Sequence, residues 1–489
     1  MKKIIYITII LAVVLATGCN KLEDFGDTNV NPAATNKPIT AALLTNVLSG
    51  VGGYANLAGP ALYCQYFSET QYPDFSCYAL NMASPMGTYS GNLYDLENII
   101  ITNTDEATKN AASLYGANEN QIAIARILKA YIYWTLTDRW GDIPYTDALK
   151  GDPNVTYDTQ ETIYKDLISE LTEAVAQFTT GAPIKGDIAY DGDIAKWKKL
   201  ANSLRMLMAL RLSKQYPGPA EYAATEFKAA LANAAGSIET NADNFKLNYP
   251  GGNFRNPYYN MYDGRKDYGE SATMTTLLTN LNNDARQSVF GATVLGEASS
   301  LGVPYGRERA FIDSWCQQNP TYCYVFHPDF RQQTSPGYIV TASRVLLARA
   351  EAADRGWTSE TANTEVLYKA GITASYTQWG LSAPTDAYFS SANVILTAAF
   401  GTGANLLQIA TQQYVAYYPD GIQGWANWRR TNIPALTPAP DAINSPKVIP
   451  RRYQYGTADY SLTKAGVEAA VARITGGDKM DSRVWWDKL

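Results

Sequence analysis

Hydrophobic and polar positions fall into three patterns along this chain. Residues 4–15, IIYITIILAVVL, form an apolar run behind Lys2 and Lys3. The run is shorter than the roughly 20 residues that a membrane-spanning helix needs. From residue 118 onward, apolar positions recur at helical spacing. Residues 118–138 place Ile124, Ile127, Leu128, Tyr131 and Trp134 in this way. Residues 160–178 align Ile163, Leu167, Leu171, Val175 and Phe178, and residues 194–214 align Trp197, Leu200, Leu204 and Leu207. The same rule predicts helices over 221–235, 340–356, 361–372, 404–418 and 461–474. Gly141, Pro217, Gly356 and Pro419 punctuate their ends. The third pattern has no period: residues 63–95, 248–268 and 305–330 are irregular and dense in aromatic side chains.

The predicted helices come in pairs: 118–138 with 160–178, 194–214 with 221–235, and 340–356 with 361–372. That arrangement is similar in pattern to tetratricopeptide repeats of about 34 residues, although no repeat consensus recurs. No linker separates two cores, so residues 40–489 are expected to form one all-α domain with long loops. So many aromatics argue against disorder in those loops. Long ordered loops commonly carry function.

Composition sharpens this expectation. The chain has 35 Tyr and 10 Trp but only 13 Phe, so most of its rings offer a flat apolar face with a polar edge. Such rings suit amphipathic ligands. Sugars are the prime example, because their C–H faces stack while their hydroxyls seek donors and acceptors. A Tyr-rich helical core would give the same count, so composition leaves both readings open. Net charge is −6, and the absence of a basic stripe makes nucleic acid an unsuitable partner.

The N-terminus points to export. Positive residues, the apolar run and the small residues Ala16, Thr17 and Gly18 follow in the order of a signal peptide, here residues 1–18. Cys19 directly after them makes the signal that of a lipoprotein, with Cys19 the lipidated residue. Residues 19–39 are then a tether and docking segment. Asp27, Asn29 and Asn31 imitate half of an EF-hand loop, but Pro32 and Pro38 stand where Gly and Glu are needed. An exported chain meets oxidising conditions. Cys64 with Cys77 and Cys316 with Cys323 are therefore the simplest disulfides, and four free buried thiols are the alternative.

Enzyme chemistry finds little support. His327 is the only His, so a His-based triad has one candidate and a multi-His metal site has none. Phosphate- and dinucleotide-binding motifs are missing, and neither a metal nor another cofactor is expected. Ser461 opens an S-x-x-K match, SLTK, whose companion motifs are absent; it is read as a helix N-cap. Two meeting carboxylates would still suffice for a glycoside hydrolase.

The aromatic loops supply the candidate ligand site. Trp315 is the leading stacking platform, with Tyr322 and Tyr324 beside it and a Cys316–Cys323 clasp to hold them rigid. Tyr72, Tyr78, Tyr258, Tyr259 and Tyr262 follow. Asn253, Arg255, Asn256 and Asp263 are candidate partners for hydroxyls. By contrast WGDIPY (140–145) is read as a helix stop, with Gly141 as C-cap and Pro144 blocking continuation, and WANWRR (425–430) and the Trp485–Trp486 pair are read as packing, with Arg covering Trp.

Several segments together carry a resemblance to a known family. They are Cys19, DFGDTNVNP (24–32), DRWGDIPYTDAL (138–149), WKKLANSLRMLMALRLSK (197–214), VLLARAEAADRGW (345–357), ATQQYVAYYPDGIQGWANWRRTNIPAL (410–436) and RVWWDK (483–488). In this order the chain resembles the SusD/RagB family of Bacteroidota outer-membrane lipoproteins. The resemblance implies a SusD-like α-helical fold with four tetratricopeptide-like helix pairs. It implies a cell-surface, lipid-anchored protein that binds oligosaccharide in its loops and delivers it, as a hinged lid, to a TonB-dependent, SusC-like transporter. No catalytic activity goes with the family. A peptide cargo would fit the same frame.

Overall fold

The computed structural model describes residues 38–81, 83–152 and 154–488. Cys19, the signal peptide and nearly all of the tether lie outside them. Twelve helices frame the described unit: α1 (Thr40–Ala55), α2 (Tyr94–Thr104), α3 (Asn118–Trp140), α4 (Gln160–Gln177), α5 (Ile194–Arg211), α6 (Tyr222–Leu231), α7 (Pro257–Tyr262), α8 (Arg309–Gln318), α9 (Ala342–Asp354), α10 (Thr364–Gln378), α11 (Leu406–Tyr417) and α12 (Gly421–Thr431). Strands β1 (Phe67–Glu69), β2 (Ile143–Pro144), β3 (Tyr157–Asp158), β4 (Phe245–Leu247), β5 (Tyr268–Glu270), β6 (Gly291–Ala292), β7 (Tyr324–Val325) and β8 (Gly337–Val340) form four antiparallel pairs: β1–β5, β2–β3, β4–β8 and β6–β7.

The helices pack as α3 on α4, α5 on α6, α9 on α10 and α11 on α12, which gives the four pairs that the resemblance implies. Contacts of α4 with α5, α5 with α9, and α9 with α11 join the pairs into one scaffold. Polar caps start several helices: Thr159 accepts from the Thr162 amide, Asp193 from Ala195 and Lys196, and Asp420 from Gln423. Gly141 stops α3 at φ +88°, a conformation that side-chain-bearing residues avoid.

The shared motifs meet in one buried knot. Trp140, Trp425 and Trp486 are fully buried. The Arg429 guanidinium lies 3.7 Å over Trp425 and 4.7 Å over Trp486, and its Nη2 donates to the Asp138 carbonyl at 2.8 Å. Trp486 Nε1 donates to Asp138 Oδ1 at 2.7 Å. Arg430 grips both oxygens of Glu351 at 2.5 and 2.6 Å. WANWRR and Trp486 thus build the scaffold, as their packing reading expects.

Four expectations need correction. All four cysteines of the described region are free thiols, so neither local disulfide exists. The aromatic loops are not irregular throughout: α7, α8, β1 and β7 lie within them, and β5 begins at the end of the second. The helix expected at 461–474 is two, Thr457–Leu462 and Lys464–Ala472, and Ser461 sits in the last turn of the first. Its hydroxyl donates to the Thr457 carbonyl at 2.8 Å instead of capping. Helices α1, α2, α8 and α12 were not marked by periodicity. In α1 the reason is Gly50, Gly52 and Gly53, which are poor helix formers; at Gly50 and Gly52 neighbours approach closely, and a Cβ on Gly52 would strike the Tyr249 side chain.

Candidate functional site

The site grows from strand β5, held between two neighbours. On one side β1 pairs with it, Phe67 opposite Glu270 and Glu69 opposite Tyr268. On the other side the Glu270 amide donates to the Cys323 carbonyl at 2.9 Å, which draws β5 toward β7. Gly291 faces this junction, and a Cβ there would run into the Glu270 carboxyl.

This junction fixes a stack of rings. Tyr322 and Tyr324 are stacked at 4.8 Å and 10°, and their hydroxyls are hydrogen-bonded at 3.1 Å. Tyr262, the last residue of α7, packs 5.3 Å from Tyr324. Its hydroxyl donates to the Tyr268 carbonyl at 2.9 Å and accepts from the Val325 amide at 2.8 Å, so it is bolted to β5 and β7 together. Trp315 closes the far end, 6.1 Å from Tyr322. It does so from α8 and not from a disulfide loop. At the near end the Arg331 guanidinium lies 4.3 Å above Tyr262 and 5.8 Å from Tyr324. Arg331 Nε donates to the Phe326 carbonyl at 3.1 Å.

Above this end opens a cavity of about 510 Å³, lined by Gln71, Tyr72, Tyr262, Arg265, Lys266, Asp267, Val294, Tyr324 and Arg331. Tyr72 is 52% exposed, and Arg309 lies 5.0 Å over its ring. A second cavity, of about 520 Å³, is lined by Gly252, Asn253, Arg255, Asn260 and Asp263. The two share one stretch of chain, Asp263 lining one while Tyr262 and Gly264 line the other. In the second cavity Arg255 pairs with Asp263 at 2.7 Å and covers the half-buried ring of Tyr259 at 5.0 Å.

The expected residues therefore divide. Tyr72, Tyr262 and Tyr324 come together in the first cavity, and Arg255, Asn253 and Asp263 in the second. Tyr322 and Trp315 support the stack from behind. Tyr78 and Tyr258 are 1% and 4% exposed and present no ring face to solvent. Tyr78 is buried because its hydroxyl accepts from the Ala439 amide at 2.9 Å. Asn256 caps α7: its Oδ1 accepts from the Tyr258 amide at 2.7 Å and its Nδ2 donates to the Ser335 carbonyl at 2.8 Å, which leaves little for a ligand. Gln71, Lys266, Val294 and Arg331 escaped the sequence reading, because only the fold brings them beside the rings.

A larger cavity, of about 690 Å³, lies against the C-terminal segment. Its lining mixes both signs of charge, with Arg473 paired to Asp142 at 2.6 Å and Arg483 to Asp487 at 2.8 Å, and it presents no ring stack. Burial raises several carboxyls, Glu69 and Glu270 among them. Burial pushes Glu69 up to about 7 and Glu270 up to about 8. Both face the core, and neither lines the ring cavity. His327 is half-buried, with its ring against the Gly296 carbonyl at 2.9 Å. Among the described residues no three His, Cys, Asp or Glu side chains gather as a metal site, and no helix is long and apolar enough to cross a membrane.

Comparison with known proteins places this architecture. Residues 32–456 match the SusD-like family described as starch-binding and associating with the outer membrane. Among solved structures, a chitin-binding protein is 29% identical with a TM-score of 0.76, covering 92% of this chain and 100% of that one. A chitin-binding SusD homologue from Flavobacterium johnsoniae is 24% identical with a TM-score of 0.75, over 92% of this chain and 98% of that one. A SusD homologue from Bacteroides uniformis is 24% identical with a TM-score of 0.74, over 93% and 100%. None of the curated proteins matches the chain. The chain belongs to the SusD-like family.

Proposed function

We propose that this protein is a surface lipoprotein, anchored through Cys19 to the outer membrane, that captures oligosaccharide in the cavity over Tyr262 and Tyr324. It then hands the glycan to a TonB-dependent, SusC-like transporter. The observation that carries the reading is the bolted ring stack opening into a cavity edged by Tyr72, Gln71, Arg265 and Asp267. Rings fixed before binding lose little entropy when a sugar stacks on them. The surrounding amide, guanidinium and carboxylate supply donors and acceptors for hydroxyls. The 29% identical chitin-binding structure supports a glycan as the ligand class. The burial of Glu69 and Glu270 supports capture over hydrolysis, since neither lines the cavity.

Titration calorimetry of the mature protein against glycan and peptide fractions tests the ligand class. Saturable glycan binding that weakens in Tyr72→Ala is the expected result. Peptide binding alone would overturn it. Co-purification with an outer-membrane barrel tests the partner.

A further inference from the structure

The ring cavity is unbalanced in charge. Its lining holds Arg265, Lys266 and Arg331 against a single carboxylate, Asp267. Asp267 is already taken, since Arg265 Nε donates to its Oδ2 at 2.6 Å. Among the described residues no carboxylate lies within ion-pair distance of Lys266 or Arg331. This sets the cavity apart from its surroundings. The 690 Å³ cavity sets Asp142, Glu161, Asp481 and Asp487 among its cations, and the 520 Å³ cavity pairs Arg255 with Asp263.

Arg331 is also held in place without a counter-ion. Its guanidinium is half-buried on Tyr262, and its one hydrogen bond among the described residues, through Nε, is to the Phe326 carbonyl. Burial pulls this guanidinium below its ordinary value, so the fold disfavours the charge it keeps there. A planar fork fixed by its stem, with both terminal nitrogens unspent, matches a carboxylate or sulfate in a two-pronged contact. Tyr72, 52% exposed, supplies an apolar face for the sugar ring that would carry such a group, and Tyr262 lines the same cavity beneath the guanidinium.

We infer that the ligand of this cavity is an acidic oligosaccharide, its carboxylate or sulfate received by Arg331 and Lys266 while its rings rest against Tyr72 and Tyr262. The inference rests on the glycan-binding reading above and names the class of glycan. It sets this protein apart from a pocket built for an uncharged polymer.

Calorimetry on the mature chain in mild detergent tests it with three probes of equal length: oligogalacturonides, sulfated galactan oligosaccharides and chitooligosaccharides. One of the two acidic probes is expected to bind roughly 10- to 100-fold tighter than the neutral one, the range of a charge-assisted hydrogen-bond pair. Which acidic probe wins distinguishes carboxylate from sulfate. Arg331→Gln is expected to collapse the acidic-to-neutral ratio toward one, and added salt to erode it. Lys266→Gln, at an exposed position, should lower the same ratio without burdening the fold. Equal or tighter binding of the neutral probe overturns the inference and leaves glycan capture standing. An acidic preference that survives both substitutions overturns it too. Inorganic sulfate or free galacturonate competing as well as the oligosaccharide would mark a simple anion site and refute the sugar contact. Failure of all three probes to bind would sink the glycan-binding reading itself.

Discussion

Replacing Glu270 by Gln should stabilise the protein, by an amount that grows with pH. Glu270 is 0% exposed. Its Oε2 accepts from Gln287 Nε2 at 2.7 Å, its Oε1 has no partner, and burial lifts the carboxyl from 4.5 to about 8. Between those values the folded chain keeps a proton that the unfolded chain has lost. The stability it contributes is therefore fully present below pH 4.5 and is lost as pH rises to 8. The slope is about 1.4 kcal/mol per pH unit. Over the 3.5 units between the two values the loss approaches about 5 kcal/mol, of which about 3.4 has accrued by pH 7. Gln keeps the shape and the acceptor but does not titrate, so the two proteins should diverge steadily. Urea denaturation of both at pH 5, 6, 7 and 8 reads the difference, in which all other titrating groups cancel. A gap constant to about 0.5 kcal/mol across that range would refute the reasoning, because it would mean that the buried carboxyl is already ionised. The site is implicated as well: Glu270 ends the strand on which Tyr262 is bolted, so ligand affinity of the wild type should fall above pH 8 and that of Glu270→Gln should not.

Other consequences can be checked separately. Arg430→Met should cost about 3–5 kcal/mol in urea denaturation, because it strips Glu351 of the partner that helps hold its carboxyl down near 2; a loss below about 1 kcal/mol would contradict the buried pair. Alkylation of the unfolded, unreduced protein should label Cys64, Cys77, Cys316 and Cys323, and any pair found oxidised would contradict the free thiols seen here. Cys19→Ser should release the protein from the membrane fraction; retention there would refute the lipid anchor.

The scaffold was legible because its helices repeat apolar positions along one stripe, as Ile163, Leu167 and Leu171 do in α4. Helix α1 was not, since its three glycines lower local helix propensity, with Gly52 packed closely on Tyr249 and Gly50 on Asn92. The site was legible only in outline. Aromatic density marked segments that line the ring cavity but not which rings face outward. Tyr78 is buried by Ala439, 361 positions away in sequence, and no local pattern reports such a contact. Much of the Tyr excess is core: Tyr66 packs 4.7 Å from Tyr414 and 5.3 Å from Tyr418. Arg331 carried no signal in its own neighbourhood, because its meaning comes from Tyr262, which the fold places beneath it.

The most direct test of the central claim is hydroxyl-radical footprinting of the mature protein with and without saturating oligosaccharide. The account predicts protection of Tyr72 and Tyr262, while the comparably exposed Tyr94, which lines a different cavity, is oxidised equally in both states. Protection at Tyr94 with Tyr72 and Tyr262 unchanged would place the ligand elsewhere and contradict the account.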